Sequence, residues 1–148
     1  MAADTKYFED FEIGERFHTP GRTITDAHFL FFAGLTGDNH PIHYDDEYAK
    51  TTRFGRRLAH GLLLMAMTAA GASSLSARME DSVVAFVEQS SRFHKPVTIG
   101  DTITPVLEVV ELVPKTNVGL VRLAARITNQ HDEIVLDGTH AYLIQKRP

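Results

Sequence analysis

A nearly all-apolar segment, residues 61–79, precedes a long stretch of strand-forming sequence, and this order restricts the fold more than any other feature. The segment reads GLLLMAMTAAGASSLSARM and predicts one long helix that is buried on most sides, because its first half has almost no polar residues. Gly71 interrupts it, and we expect another backbone to approach closely there. After it we predict strands at residues 83–88 with continuation to 93, 102–113, 119–128 and 134–145.

Strands that follow one another through tight turns favour an antiparallel meander. The sequence therefore predicts an α+β fold in which an antiparallel β-sheet wraps around a long central helix. Before that helix we predict a strand over residues 15–23 and two short helices. Thr25 would cap the first helix, which ends at Gly37, and Asp45 would cap the second, over residues 46–51.

The composition limits the class of protein. A chain of 148 residues fits one domain, residues 1–148, with a core large enough to fold without disulfides. It has no cysteine, so a thiol nucleophile and a zinc–thiolate site are excluded. The net charge of −4 disfavours a nucleic-acid partner, and the longest apolar stretch, residues 62–72, is too short to span a membrane. The acidic N-terminus lacks an apolar signal core, and we expect a cytoplasmic protein.

Residues 37–43, GDNHPIH, place an acid and an imidazole in one short segment between apolar, helix-like stretches. Pro41 lacks a backbone donor and disfavours helix in the residue before it, so the segment predicts a stiff loop. Asp38 and His43 would then lie near each other, and imidazole exchanges protons near neutral pH. We predict that the two side chains form an acid–base dyad. The alternative is a polar loop that is simply solvated.

The same loop carries residue types that bind metals. Histidine and carboxylate are competent ligands, but their spacing here matches no strong metal-binding signature, so we predict no metal site. We expect His40 instead to hydrogen-bond the loop backbone and fix the dyad. The residues that could form such a cluster are Asp38, His40, His43, Asp45 and Asp46.

Two further segments are candidates for substrate contact. Gly61, after His60, opens the apolar segment, and its amide could donate to a carbonyl oxygen that carries developing negative charge. An ordinary helix N-terminus with a tolerated glycine explains the same sequence equally well. The basic residues Arg53, Arg56 and Arg57 could meet phosphates, although a solvated basic loop is the default interpretation.

At these positions the chain resembles the MaoC-like hydratases, the branch of the hot-dog superfamily that includes (R)-specific enoyl-CoA hydratases. The family pattern is a glycine, an acid, any residue, an Asn-Pro pair, an aliphatic residue and a histidine, followed by an alanine and by a His-Gly step that opens the long helix. The corresponding residues here are Gly37, Asp38, Asn39, His40, Pro41, Ile42, His43, Ala49, His60 and Gly61. The stretches FEDFEIGERF and RFHKPVTIGDTI extend the resemblance over nearly the whole chain.

The resemblance implies a single hot-dog domain that forms a homodimer or a higher homo-oligomer. It implies reversible hydration of a trans-2-enoyl-CoA, or of a related acyl-carrier thioester, to the (R)-3-hydroxyacyl thioester, without a metal or redox cofactor and without a membrane partner. Asp38 and His43 would be the catalytic pair, and the amide of Gly61 would polarise the thioester carbonyl. The predicted substrate-binding residues are His40, Pro41, His60, Arg53 and Arg56.

Two positions depart from the family pattern, and two other functions stay open. His40 replaces the asparagine of the usual Asn-Pro pair, and Ala69 stands where some members carry a serine that supports the catalytic aspartate. The adjacent Thr68 should point elsewhere on a helix. A hot-dog protein could instead bind acyl thioesters without catalysis, or hydrolyse them, because the fold alone does not determine the function.

Overall fold

The computed structural model describes residues 5–148, which form an antiparallel β-sheet with helices on one of its faces. The strands are β1 (Arg16–His18), β2 (Arg22–Thr23), β3 (Val83–Phe93), β4 (Thr102–Pro114), β5 (Val118–Thr128) and β6 (Ile134–Gln145). The helices are α1 (Asp26–Thr36), α2 (Asp46–Lys50), α3 (Gly61–Ala66) and α4 (Leu75–Met79). Short 3₁₀ turns occupy Phe8–Asp10, Pro41–His43 and Ala70–Ala72.

The strand order in the sheet is β1-β4-β5-β6-β3, and β2 also pairs with β4. Tight turns join β4, β5 and β6, so the predicted meander is confirmed for these three strands. It is wrong for β3, which pairs with β6 rather than with its successor β4. The physical reason is the connection at residues 94–101, which carries the chain across from one side of the sheet to the other.

The core lies between the sheet and the helices. Alternate residues of β4 and β5 are buried because successive side chains of a strand point to opposite faces. Leu107 on β4 and Leu123 on β5 pack in one buried cluster with Leu75 of α4. A second cluster contains Phe29 of α1 and Leu64 of α3. The two clusters together hold the helices against one face of the sheet.

The strand predicted at residues 15–23 is two short strands, because the chain breaks at residues 19–21. Pro20 has no N–H to donate to the sheet. Gly21 lies so close to β4 that a Cβ there would be 3.1 Å from the hydroxyl oxygen of Thr104. The proline therefore ends β1, and the glycine lets the chain continue close along β4 as β2.

The long central helix predicted over residues 61–79 is also broken, into α3, a 3₁₀ turn and α4. Hydroxyl groups compete with the helical amides for backbone carbonyls at the breaks. The Thr68 hydroxyl donates to the carbonyl of Met65 at 2.6 Å, and the Ser73 hydroxyl donates to that of Ala70 at 2.7 Å. A Cβ on Gly71 would meet nothing within 4 Å, so the predicted backbone contact there is wrong. Within residues 5–148, no helix is long and apolar enough to cross a bilayer.

The predicted helix ends near the GDNHPIH segment are confirmed. Thr25 is the N-cap of α1, and Gly37 ends this helix in the left-handed conformation with φ 75°. The Asp45 carboxylate accepts a hydrogen bond from the amide of Tyr48 at 2.9 Å and so caps α2. Residues 37–43, which we call the motif loop, are therefore held between two defined helix ends.

One break in the central segment is tied to the sheet by a buried histidine. His140 on β6 is 3% exposed, and its Nε2 lies 2.9 Å from the hydroxyl of Thr68. Its Nδ1 lies 3.3 Å from the hydroxyl of Tyr142. Thr68 thus points towards the sheet. This agrees with the prediction that its side chain points away from the dyad. Burial lowers the pKa of His140 below its ordinary value, so the native protein holds the neutral ring.

This burial predicts a specific dependence of stability on pH. An unfolded chain exposes the His140 ring, which then takes up a proton as the pH falls below about 6.5. The unfolded state therefore binds more protons than the native state, and the free energy of unfolding falls as the pH decreases through that range. Urea unfolding between about pH 5 and pH 8 should show this slope, and His140→Gln should reduce it, because glutamine does not titrate. The buried His60 keeps part of the slope in the variant.

The matched control is His18→Gln, which changes an exposed histidine on β1. It should retain the slope of the native protein. An unchanged slope in His140→Gln would contradict the assignment of a neutral, buried ring at this position.

Candidate active site

The motif loop is stiffened by its own side chains. The amide of Asp38 donates to the Thr36 hydroxyl at 3.2 Å, and the amide of His40 donates to the Asp38 carboxylate at 3.3 Å. The Nδ1 of His40 accepts a hydrogen bond from the amide of Ile42 at 3.2 Å, at the start of the turn Pro41–His43. The expected hydrogen bond between His40 and the loop backbone is therefore present. The result is a loop whose shape holds both ends of the proposed dyad.

Asp38 and His43 point into the same space. Side-chain ligand atoms of Asp38, His43 and His60 all lie within 4.8 Å of one another. The Nδ1 of His43 lies 2.7 Å from the carbonyl oxygen of Leu58. A carbonyl oxygen only accepts, so Nδ1 carries the hydrogen of the neutral ring, and Nε2 is left free to exchange a proton. Asp38 is exposed in the single chain and His43 is half-buried.

His60 lies beneath His43. The two rings are stacked with centroids 3.7 Å apart and planes 22° apart. His60 is only 2% exposed, and its Nε2 lies 2.8 Å from the Tyr44 hydroxyl and 3.3 Å from the main-chain carbonyl oxygen of Asp38. Burial, followed by the charge on His43, lowers the pKa of His60. The native protein therefore holds His60 as a neutral ring.

Tyr44 is a part of the site that sequence reasoning missed. Its hydroxyl lies 3.0 Å from the carbonyl of Asp38 and 3.2 Å from that of Phe29, and it also reaches His60. Burial and then the charge on Asp38 raise the pKa of Tyr44, which keeps the hydroxyl protonated. The available sequence signal was a tyrosine directly after His43, since a buried tyrosine usually finds a partner for its hydroxyl.

The three clustered side chains do not suit a metal ion. The donor orbitals of imidazole lie in the ring plane, so two stacked rings direct them roughly parallel, whereas a tetrahedral site needs them to converge on one ion at about 2.0–2.1 Å. In addition, His43 Nδ1 is bonded to a carbonyl and His60 Nε2 faces Tyr44. The ring geometry supports the predicted absence of a metal, which remains a prediction.

The other predicted site residues differ in their contacts and in their exposure. Gly61 is the first residue of α3, and a Cβ there would be 3.1 Å from the ring of Phe93. Arg57 forms ion pairs with the carboxylates of Asp26 at 2.7 Å and Asp46 at 2.8 Å, so it is not free for a ligand. The remaining predicted contacts, which are exposed in the single chain, are His40, Pro41, Arg53 and Arg56.

The fold and the site together define a hot-dog protein with an aspartate and a histidine close together on a stiff loop, beside the start of its central helical segment. The sequence profile described as MaoC like domain matches residues 10–131. This protein belongs to the MaoC-like domain family.

Individual relatives agree with this assignment. The chain is 33% identical to an (R)-specific enoyl-CoA hydratase from Rhodospirillum rubrum over 150 aligned residues, which cover 99% of each protein. It is 35% identical to a 3-hydroxybutyryl-CoA dehydratase from Methylorubrum extorquens, over 95% of this chain and 85% of that protein. A solved structure, called a monoamine oxidase regulatory protein from Archaeoglobus fulgidus, superposes with a TM-score of 0.92 at 37% identity, over 100% of this chain and 99% of that one.

These similarities confirm three of the predictions from the sequence: the MaoC-like family, the hot-dog fold and the hydro-lyase class. The roles of the individual residues stay predictions, as does the division of the chain into a single domain.

The hydroxyl of Tyr44 gives a testable consequence for stability. Tyr44→Phe removes the hydroxyl that partners the buried Nε2 of His60 and the part-buried carbonyl of Phe29, so we expect the free energy of unfolding to fall by about 1–3 kcal/mol. Urea denaturation measures this change. Tyr48→Phe is the matched control, because Tyr48 is 39% exposed, and it should change stability by no more than about 0.5 kcal/mol. Equal effects of the two substitutions would show that the Tyr44 hydroxyl does not hold the loop.

Proposed function

We propose that the protein catalyses the reversible hydration of a trans-2-enoyl thioester to the (R)-3-hydroxyacyl thioester. The observation that carries this proposal is the convergence of Asp38 and His43 within 4.8 Å. Two polar atoms at this separation can both bond one water, because each hydrogen bond spans about 2.7–3.0 Å. The names of the relatives from Rhodospirillum rubrum and Methylorubrum extorquens support the same chemistry.

The dyad would activate this water for addition to the double bond. The thioester makes the β-carbon electrophilic, and the water oxygen bonds to it as one water proton passes to the dyad. The protonated partner of the dyad gives a proton to the α-carbon, so the pair ends the addition with the same total number of protons as it had at the start. Asp38 and His43 would act together, because both can reach the same water. The proposed reaction requires no metal or redox cofactor.

The thioester oxygen gains negative charge during the addition and needs a donor. We propose the amide of Gly61, which opens α3. The helix spans Gly61–Ala66 only, so the proposal rests on the N–H group itself rather than on a long helix dipole. Phe93 lies against Gly61 and would help to exclude water from the thioester. Arg53 and Arg56 are proposed contacts for phosphate groups of a coenzyme A thioester, and their exposure supports this.

An assay of hydration tests the dyad directly. Crotonyl-CoA and longer or branched enoyl-CoAs should be hydrated, with loss of the conjugated enoyl absorbance as the readout. Asp38→Asn and His43→Gln should each lower kcat/KM by at least about 100-fold, because each removes a group that transfers a proton.

The chain offers a matched control for this assay. His94 and Asp137 form another histidine–aspartate pair, with Nε2 2.9 Å from the carboxylate, outside the motif loop. His94→Gln and Asp137→Asn should therefore keep the native rate. Full activity in either dyad variant would overturn the proposed mechanism.

The exposed edge of strand β3 supports a homodimer or larger homo-oligomer, and so does the exposure of Asp38 in the single chain. Within the described residues 5–148, strand β3 lies at one end of the sheet and pairs only with β6, and an unpaired strand edge readily associates with another chain. Its apolar residues Val84, Phe86 and Val87 are between 49% and 52% exposed. We propose that a second copy of the chain covers this edge.

The double substitution Val84→Glu and Val87→Glu places two charges on this edge and should convert the dimer to a monomer. Light scattering after size-exclusion chromatography measures the mass. Val110→Glu is the control, because Val110 on β4 is 42% exposed but does not lie on β3, and it should remain dimeric. A native protein that is monomeric and fully active would contradict the proposal.

A non-catalytic acyl-thioester-binding function is the second candidate, because the structure from Archaeoglobus fulgidus with a TM-score of 0.92 is called a regulatory protein. Calorimetry would then show binding of an acyl-CoA while the assay shows no turnover. Release of free coenzyme A, detected with a thiol reagent, would instead indicate thioester hydrolysis. The cytoplasmic location remains a prediction.

A further inference from the structure

We propose that His60 is a positioning residue: its buried neutral ring supports the ring of His43 and links it to the main chain of Asp38. The inference rests on the proposed acid–base function of the dyad. It gives His60 a role different from the direct substrate contact that the sequence predicts.

The first observation is the support of His43 from below. The His60 ring lies face to face with that of His43 at 3.7 Å. On other sides it contacts two aromatic rings of α1, Phe32 at 4.7 Å and Phe29 at 5.8 Å between centroids. Since His60 is only 2% exposed, its ring has little freedom to move. His43 is therefore restrained at one face by His60 and at Nδ1 by the Leu58 carbonyl, and these two contacts determine where its Nε2 points.

The second observation is the link to Asp38. The Nε2 of His60 lies 3.3 Å from the main-chain carbonyl oxygen of Asp38, and only a nitrogen that carries hydrogen can bond a carbonyl. The same N–H can also donate to the Tyr44 hydroxyl at 2.8 Å, while Tyr44 donates to the Phe29 carbonyl. This arrangement assigns the hydrogen of His60 to Nε2. The same ring thus contacts both halves of the dyad.

The third observation concerns charge. The titratable groups that face His60 are His43, Tyr44 and Asp38, and Phe29 and Phe32 on α1 carry no charge. A proton on His60 would place a buried positive charge 3.7 Å from the second imidazole. Any proton taken up by the stacked pair therefore resides on His43, which reaches solvent. A neutral His60 lets His43 change charge during turnover without a change in the shape of the site.

Two substitutions separate the two contacts of His60. His60→Phe keeps a flat ring for stacking but loses the Nε2 hydrogen. His60→Gln keeps a donor near the position of Nε2 but loses the ring. Because a positioning residue acts on the orientation of the dyad rather than on substrate affinity, both variants should lower kcat by about 10-fold or more and leave KM within about threefold. His140→Gln changes a buried histidine outside the dyad and should keep both constants.

Nuclear magnetic resonance tests the geometry independently of activity. In the native protein, the ¹⁵N shifts of His60 should show the neutral ring with hydrogen on Nε2 near neutral pH. The ring-proton shifts of His43 should move in His60→Gln, which loses stacking, more than in His60→Phe. These measurements need no turnover, so they test His60 even if the native protein does not hydrate enoyl thioesters.

The outcomes are distinguishable. A rise in KM with unchanged kcat would assign His60 to substrate binding and overturn the proposal. Unchanged kcat and KM in both variants, or a protonated His60 ring near neutral pH in the native protein, would also overturn it. If a variant does not fold, the titration of the native protein decides the question by itself.

Discussion

The contact between the motif loop and the buried ring of His60 is the interaction on which the candidate site depends. The loop leaves α1 at Gly37, whose left-handed conformation turns the chain, and it enters α2 at the cap formed by Asp45. Between these ends, the Tyr44 hydroxyl and the His60 ring hold it against α1. Without these contacts, the polar groups of the loop could hydrogen-bond water equally well in several conformations. The buried contacts beneath the loop therefore hold the exposed carboxylate of Asp38 close to the imidazole of His43.

The break in the central helical segment, residues 61–79, is related to the geometry of the candidate site. In a continuous helix over residues 61–79, the backbone carbonyls would accept hydrogen bonds from backbone amides of the same helix. The Thr68 hydroxyl would then not be needed to bond the Met65 carbonyl. Instead, the Thr68 hydroxyl hydrogen-bonds the Met65 carbonyl and the His140 ring, and the segment divides into α3, a 3₁₀ turn and α4. Because α3 begins at Gly61, directly after His60, the start of this segment lies next to the dyad. The break and the site are thus two consequences of the way the segment packs against the sheet.

The exposed edge of strand β3 reaches the candidate site at one end. Strand β3 ends the sheet with apolar residues exposed, and Phe93 at its end lies over Gly61. A second copy on this edge would extend the sheet and would enclose the region around the dyad, as the proposed reaction requires. Water exclusion strengthens hydrogen bonds to a developing oxyanion, so assembly and chemistry would be linked through the same strand.

Local features could be predicted from the sequence alone: the caps Thr25 and Asp45, the αL end at Gly37, the strands after residue 83, and the meeting of an acid with an imidazole on a proline-stiffened loop. These follow from spacing and from backbone chemistry within a few residues. Other features became visible only in the packed fold: the break at Thr68, the pairing of β3 with β6, the ion pairs of Arg57 and the stacking of His60 beneath His43. Each of these depends on residues that are distant in sequence, such as Thr68 and His140, and hydrophobic periodicity carries no information about which distant partner a buried polar group will find.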